Sequence, residues 1–164
     1  MEINIRDYLD EDLSFVKESF EKLHDHVISI DPIKRIRKMS GYADVFFAKF
    51  LKNIKNNQGK IYIVEFEGKS IGYVAGFVAD KQSEENLLEV IPSQLGIISN
   101  VYLEPELRGK KIGIKMMKAI EEYLISKSCD AIWIDTNGFN SQALQLYKSM
   151  GFSEREVGLM KKIK

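Results

Sequence analysis

The stretch that decides the fold is Val101-Tyr-Leu-Glu-Pro-Glu-Leu-Arg-Gly-Lys-Lys-Ile-Gly113. An apolar, β-branched run from Ile97 to Leu103 predicts a strand. Pro105 ends this strand, because proline cannot donate a ladder hydrogen bond and biases the residue before it away from helix. From Ile112 to Leu124, apolar residues recur at helical spacing. The sequence therefore predicts a strand, a short turn and a helix.

The predicted turn is basic and rich in glycine. It contains Arg108, Gly109, Lys110 and Lys111, and Gly113 follows in the first helical turn. The first four N–H groups of a helix have no partner within it, and the helix dipole makes that end partially positive, so phosphate oxygens are favoured there. The stretch is neither a P-loop nor a dinucleotide-binding fingerprint. The alternative interpretation is a surface helix with ordinary basic residues.

Composition predicts one domain spanning residues 1–164. The chain is 45% hydrophobic and 29% charged, and its 24 Lys and Arg residues balance 24 Asp and Glu residues. This balance gives no reason to expect nucleic acid or an anionic membrane as a partner. A single cysteine excludes an intramolecular disulfide and a multi-cysteine zinc site. Without a long apolar run or a signal-peptide core, we expect a cytoplasmic protein that does not enter a membrane.

Periodicity predicts the remaining elements and a mixed sheet. A helix should start at residues 10–12 and end near Ile30, and a second helical region should begin near Ile33 and be interrupted at residues 40–41. The expected strands lie near residues 3–5 and at 60–66, 70–79, 97–103, 130–136 and 152–163, with a short helix at 141–150. The helix between strands 97–103 and 130–136 should make a right-handed parallel crossover.

The short helix contains a second motif, which begins at Asn140 and ends at Phe152. Asn140 is a good helix N-cap. Ala143 and Tyr147 are four residues apart and therefore share one helix face. Taken alone, Tyr147 would more commonly be a core aromatic residue on an amphipathic helix.

Both motifs resemble signatures of the GNAT superfamily of N-acetyltransferases. Residues 108–113 resemble Q/R-x-x-G-x-G/A, with Lys111 where the first motif glycine normally stands, and residues 140–152 are similar to N-x-x-A-x-x-x-Y-x-x-x-G-F. A lysine can take a helical conformation at that place, and its charge suits phosphate. The resemblance covers nearly the whole chain and is least informative over residues 7–58. It implies a single-domain α/β (mixed α+β) fold, with a central mixed twisted sheet flanked by helices and splayed between its two central parallel strands.

The resemblance also implies the co-substrate and the site. Acetyl-CoA would bind through its pyrophosphate at the turn and through its pantetheine at the strand edge, with no metal. Tyr147 would protonate the departing CoA thiolate. The cofactor-binding residues that this implies are Val101, Tyr102, Leu103, Arg108, Gly109, Lys110, Lys111, Ile112, Gly113, Asn140 and Ala143.

The general base is less clearly marked. Where many members of the family have a glutamate, this chain has Asn100, which cannot accept a proton. Asp135 lies twelve residues before Tyr147 and matches an acid that some members use, although a carboxylate in a turn at a strand end explains it equally well. His24 and His26 lie in the region that would border the substrate, and exposed helix histidines are their alternative interpretation. A water chain to bulk solvent is a further alternative.

The sequence thus favours an N-acetyltransferase that acts on a primary amine of a small molecule, an amino acid, or a peptide or protein N-terminus. The alternative is a non-catalytic acyl-CoA-binding sensor or regulatory module. A purely structural interaction domain would leave Arg108, Gly109, Gly113 and Asn140 without a purpose. Many relatives form dimers, so a homodimer is a further expectation.

Overall fold

A computed structural model describes residues 2–163. Its strands are β1 (Ile3–Asp7), β2 (Lys60–Phe66), β3 (Lys69–Val78), β4 (Leu95–Leu103) and β5 (Ala131–Ile134). Its helices are α1 (Leu13–Ile30), α2 (Tyr42–Asn56), α3 (Ile112–Ser126) and α4 (Ser141–Ser149). Short 3-10 turns lie at Asp10–Asp12, Asn86–Leu88 and Pro105–Leu107.

The five strands form one mixed sheet in chain order. Strands β1 to β4 pair antiparallel with their neighbours, while β4 and β5 pair in parallel across the crossover helix α3. One core cluster packs α3 against the sheet through Met116, Met117, Ile120 and Leu124. A second, aromatic cluster packs the other face against α1 and α2. The predicted mixed sheet flanked by helices is thereby confirmed.

The predicted helical region is wrong in its first part, from Ile33 to residue 39, whereas its second part, after residues 40–41, is helix α2. Residues 33–39 form an irregular segment, and the next helix starts at Tyr42. The physical reason is Asp31, whose buried carboxylate accepts hydrogen bonds from the backbone N–H groups of Ile33, Arg35 and Ile36 at 3.0, 2.6 and 2.9 Å. These three N–H groups are fixed by a side chain, so the segment is ordered without being helical. They also hold the pKa of Asp31 below its usual value.

The predicted final strand is wrong as well. Residues 153–163 have no regular secondary structure, and their side chains are exposed, among them Val157 and Leu159 at 73% and 93% exposure. Charged residues and Gly158 interrupt the apolar alternation of this segment, so it presents no continuous apolar face to a sheet. Within residues 2–163, β5 is consequently the last strand of the sheet.

In the part of the chain that the structure describes, none of the helices has both the length and the apolar character needed to cross a membrane.

Candidate active site

The site begins where β4 and β5 separate. Their parallel pairing runs from Leu95 with Ala131 to Ile98 with Ile134 and then stops. On the other side of β4, the register with β3 shifts so that Ser99 is an extra residue, which is a β-bulge. Beyond the bulge, residues 100–103 pair with β3 alone. Backbone groups on the open side of this segment have no strand partner among the described residues, so they can pair with an extended ligand.

The turn after β4 and the start of α3 form a positively polarised corner. Gly109 has φ +75°, and Lys111, the N-cap residue of α3, has φ +62°. Lys111 therefore takes the left-handed conformation that glycine adopts most readily, and not the ordinary helical conformation that a lysine can take. No side chain caps the first N–H groups of α3. These groups therefore remain available to an anion.

Arg108 and Gly113 shape this corner in different ways. The Arg108 Nε donates a hydrogen bond to the Leu103 carbonyl oxygen at 3.1 Å, so the guanidinium group is anchored at the end of β4. Gly113 faces α4, since a Cβ atom there would lie 3.2 Å from Leu146 Cδ2. The absence of a side chain at Gly113 thus leaves room for the end of the Leu146 side chain at the cavity.

Helix α4 supplies a further wall. The Asn140 Oδ1 accepts a hydrogen bond from the Ala143 N–H at 3.4 Å, so the predicted N-cap is confirmed. Burial raises the pKa of Tyr147 to about 12, with a further contribution from the carboxylate of Asp135. At neutral pH the phenol is therefore protonated and can act as a proton donor.

These elements enclose a cavity of about 620 Å³. Its size is within the range that is usual for small-molecule and cofactor sites. Most of the residues predicted from the sequence line it, namely Val101, Leu103, Arg108, Gly109, Lys111, Gly113, Asn140, Ala143, Tyr147 and His26. The structure thus brings both sequence motifs and one histidine to the same cavity.

Other predicted residues do not line the cavity. Tyr102 is buried in the aromatic cluster on the other face of the sheet, where its hydroxyl donates to Glu104 at 2.9 Å. The side chain of Ile112 is in the core beneath α3, and Lys110 is exposed beside the cavity without lining it. Asp135 is exposed at the end of β5, near enough to Tyr147 to affect its pKa.

The two histidines have different surroundings. The His24 Nε2 donates a hydrogen bond to the Arg37 carbonyl oxygen at 3.1 Å, and its ring stacks on Tyr42 with 4.1 Å between the centroids. His26 lines the cavity together with Leu23. Burial lowers the pKa of His26, and the nearby positive charge of Arg108 lowers it further. His24 is therefore part of the packing between α1 and α2, whereas His26 is part of the cavity.

Sequence reasoning missed several lining residues. They are Leu23 on α1, Ile114 and Met116 on α3, and Gln142, Gln145, Leu146 and Ser149 on α4. The signal for some of them was available, because Gln142, Ala143, Leu146 and Tyr147 recur at helical spacing on one face. In residues 2–163 there is no group of three or more His, Cys, Asp or Glu side chains placed to hold a metal ion.

Comparisons with known proteins agree with this geometry. The thialysine N-epsilon-acetyltransferase of Bos taurus is 33% identical over 54 residues, which are 33% of this chain and 32% of that protein, so the match spans about a third of that relative's length. An N-alpha-acetyltransferase of Sulfurisphaera tokodaii is 24% identical over 132 residues, which are 78% of this chain and 77% of that protein. The aminoglycoside N-acetyltransferase AAC(6')-Iy, solved in complex with CoA, has a similar fold, with a TM-score of 0.69 and 14% identity over 98% of this chain and 94% of that one.

The family pattern of the acetyltransferase (GNAT) family matches residues 21–152, which is most of the sequence, and the chain therefore belongs to that family.

Proposed function

We propose that this chain is an N-acetyltransferase that moves the acetyl group of acetyl-CoA directly to a primary amine. The observation that carries the proposal is the cavity that opens where β4 leaves β5, bordered by the basic turn before α3 and by Tyr147 on α4. An unpaired strand edge and an uncapped helix start can bind an acyl-CoA, and a protonated phenol at the same cavity can protonate the departing thiolate.

The residues present fit acetyl-CoA. Arg108, Gly109, Lys111 and the first N–H groups of α3 would hold its pyrophosphate, since they combine positive charge with free donors. The open edge of residues 100–103 would pair with the amides of the pantetheine. The co-substrate supplies the activated acetyl group as a thioester.

The chain's own groups would then stabilise the transfer. A backbone N–H of the segment from Val101 to Leu103 would donate to the thioester oxygen as negative charge develops on it. Tyr147 would donate its proton to the departing sulfur, because its pKa of about 12 keeps the phenol protonated at neutral pH.

Asp135 is the carboxylate candidate for the general base. Its position at the end of β5, near Tyr147, supports a role close to the reacting atoms, and its exposed side chain would have to act through water. Asp135→Asn removes the proton acceptor with little change in size. If Asp135 is the base, this substitution lowers turnover without changing the affinity for acetyl-CoA.

The acceptor is a primary amine of a small molecule, an amino acid, or a peptide or protein N-terminus. Support comes from the relatives, one of which is a thialysine N-epsilon-acetyltransferase and another an N-alpha-acetyltransferase. Primary amines are common to both. A cytoplasmic location and a homodimer are further predictions, which fractionation and sedimentation velocity would test.

The experiment is a calorimetric titration with acetyl-CoA, followed by a thiol-release assay against a panel of amino acids, polyamines, aminoglycosides and peptides. We expect binding, together with release for one class of amine. Binding without release across the whole panel would favour the acyl-CoA sensor, and absence of binding would overturn both functions.

A further inference from the structure

We propose that His26 borders the acceptor amine and takes its proton. The inference rests on the function proposed above, and it assigns the role of general base to His26 in place of Asp135, which does not line the cavity.

Four titratable side chains line the cavity in the described chain, namely His26, Arg108, Lys111 and Tyr147. None of the lining residues is a carboxylate. Arginine and lysine are protonated at neutral pH, and the Tyr147 phenol is protonated as well. His26 is therefore the lining side chain that can accept a proton in the neutral range.

The surroundings of His26 keep its ring available. Its carbonyl oxygen accepts a hydrogen bond from the Ser29 hydroxyl, but within residues 2–163 its ring nitrogens have no hydrogen-bond partner. Such a ring keeps its lone pair for a ligand. His24, two residues earlier, has its Nε2 engaged by Arg37 and its ring face covered by Tyr42.

The charges around His26 also favour its neutral form. Arg108, from the turn after β4, lowers the pKa of the imidazole together with burial. Lys22, one helical turn earlier on α1, is bound by Glu18 at 2.9 Å and by Glu104 at 3.2 Å. A neutral imidazole can take a proton from an ammonium group, and the positive charge of Arg108 then favours release of that proton to solvent. Asn100 on β4 offers no competing base.

The proton balance is as follows. The acceptor arrives as R–NH₃⁺ and gives one proton to the imidazole of His26. The nitrogen lone pair then forms the C–N bond, the C–S bond breaks, and its electron pair leaves on sulfur. Tyr147 protonates that sulfur, and the second proton lost from the nitrogen restores the Tyr147 phenol. The products are the amide, the free thiol and one proton on His26, which passes to solvent.

The test compares His26→Gln and His26→Ala with His24→Gln as the matched control on the same helix. For the unmodified chain we expect kcat/KM for the amine to fall as pH drops through the pKa of His26. In His26→Gln this inflection should disappear, and kcat at neutral pH should fall by about 100-fold or more, as expected for the loss of a general base.

Added imidazole should partly restore the turnover of His26→Ala, which a purely structural role would not allow. The affinity for acetyl-CoA should stay unchanged, and His24→Gln should keep the pH profile.

A second readout does not depend on turnover. NMR titration of the unliganded chain should show His26 losing its proton at lower pH than a free imidazole. Its resonances should shift when the acceptor amine is added, whereas those of His24 should not. An intact pH inflection in a folded His26→Gln, or an inflection lost only in Asp135→Asn, would overturn the inference. Loss of acetyl-CoA affinity in His26→Gln would instead assign His26 to cofactor binding. If the unmodified chain releases no thiol with any amine, the proposed function itself has failed.

Discussion

Ile98 on β4 and Ile134 on β5 are the last residue pair that the two parallel strands share. Ser99 bulges from the ladder immediately after Ile98, and its hydroxyl donates to the Ala75 carbonyl oxygen at 3.3 Å. The bulge changes the course of β4 at the point where the partner strand ends. One extra residue thus separates a part of β4 that holds the sheet together from a part that can bind a ligand.

Replacing Tyr147 by Phe tests the proton donor. Turnover should fall by about 100-fold or more, because only the departing sulfur needs the phenolic proton. The affinity for acetyl-CoA should stay within experimental error, since the ring is retained. Kinetics and calorimetry on the same preparation would check both, with Tyr62→Phe on β2 as a control outside the cavity. Equal turnover in Tyr147→Phe would remove this residue as the acid.

Replacing Lys111 by Gly tests the left-handed turn. A non-glycine residue in the left-handed conformation destabilises the fold by about 1–2 kcal/mol, and glycine removes this cost. Glycine also makes the unfolded chain more flexible, which offsets part of the gain. We therefore expect the free energy of unfolding to rise by about 1 kcal/mol. The affinity for acetyl-CoA should fall about two- to fivefold, because the substitution removes one exposed ion pair between the lysine and the co-substrate. Lys110→Gly is the matched control, because it removes the same charge without relieving a left-handed backbone. Urea unfolding should show a gain for Lys111→Gly alone.

Two substitutions at Gly113 separate size from charge. Gly113→Ala places a Cβ atom 3.2 Å from Leu146 Cδ2, a flexible side-chain end, so stability and affinity should change little. Gly113→Glu adds a carboxylate beside the groups that we propose bind the phosphates, and it should weaken acetyl-CoA binding by about tenfold or more. Gly158→Glu is the control, since its added Cβ meets no atom within 4 Å. Calorimetry that finds unchanged affinity in Gly113→Glu would rule out a pyrophosphate site here.

Replacing Asp12 by Asn tests a pH-dependent contribution to stability. Its carboxylate accepts from Arg6 Nη1 and Nη2 at 2.6 and 2.7 Å and from the Leu9 N–H at 2.8 Å, which holds the pKa of Asp12 below its usual value. At neutral pH the substitution should cost about 2 kcal/mol of unfolding free energy. A depressed pKa contributes stability above its unfolded value of about 4 and loses it as pH falls, so the difference should shrink in acid.

The control for this prediction is Asp44→Asn. Its ion pair with Lys17 is 3.3 Å long and its side chain is 78% exposed, so the loss should be a few tenths of a kcal/mol at most. Urea unfolding of both variants at neutral pH and near pH 3 would measure the two differences. A difference for Asp12→Asn that stays constant with pH would show that its carboxylate charge is not the cause.

The parts of the fold that follow local rules could be predicted from the sequence. The apolar spacing of α1 and α3, the hairpin turn at Glu67 and Gly68, and the Asn140 cap each depend on residues close together in the chain. The motif residues around Arg108 and Tyr147 fall at the cavity for the same reason, because each motif occupies one continuous turn or helix.

The remaining features depend on tertiary placement. No periodicity reveals that the Asp31 carboxylate will collect three backbone N–H groups and keep residues 33–39 out of a helix. Spacing separates His24 from His26 but cannot say which of them faces the cavity, because the rotation of α1 is set by its packing. The conformation of Lys111 is equally invisible, since composition alone gives no reason for a lysine to take a positive φ.

The short pairing of β5 has a consequence for how the site holds itself together. Asn140 and Tyr147 follow a strand of four residues at the edge of the sheet, while Arg108 and Lys111 follow β4, which is paired on both sides over its first half. The segment made of β5 and α4 should therefore open locally at lower free energy than the rest of the sheet. A ligand that contacts both α3 and α4 would link this less stable segment to the core of the sheet. Binding should then slow amide hydrogen exchange in β5 and α4 far more than in β2 and β3. The co-substrate would thereby stabilise α4, the helix that carries Tyr147.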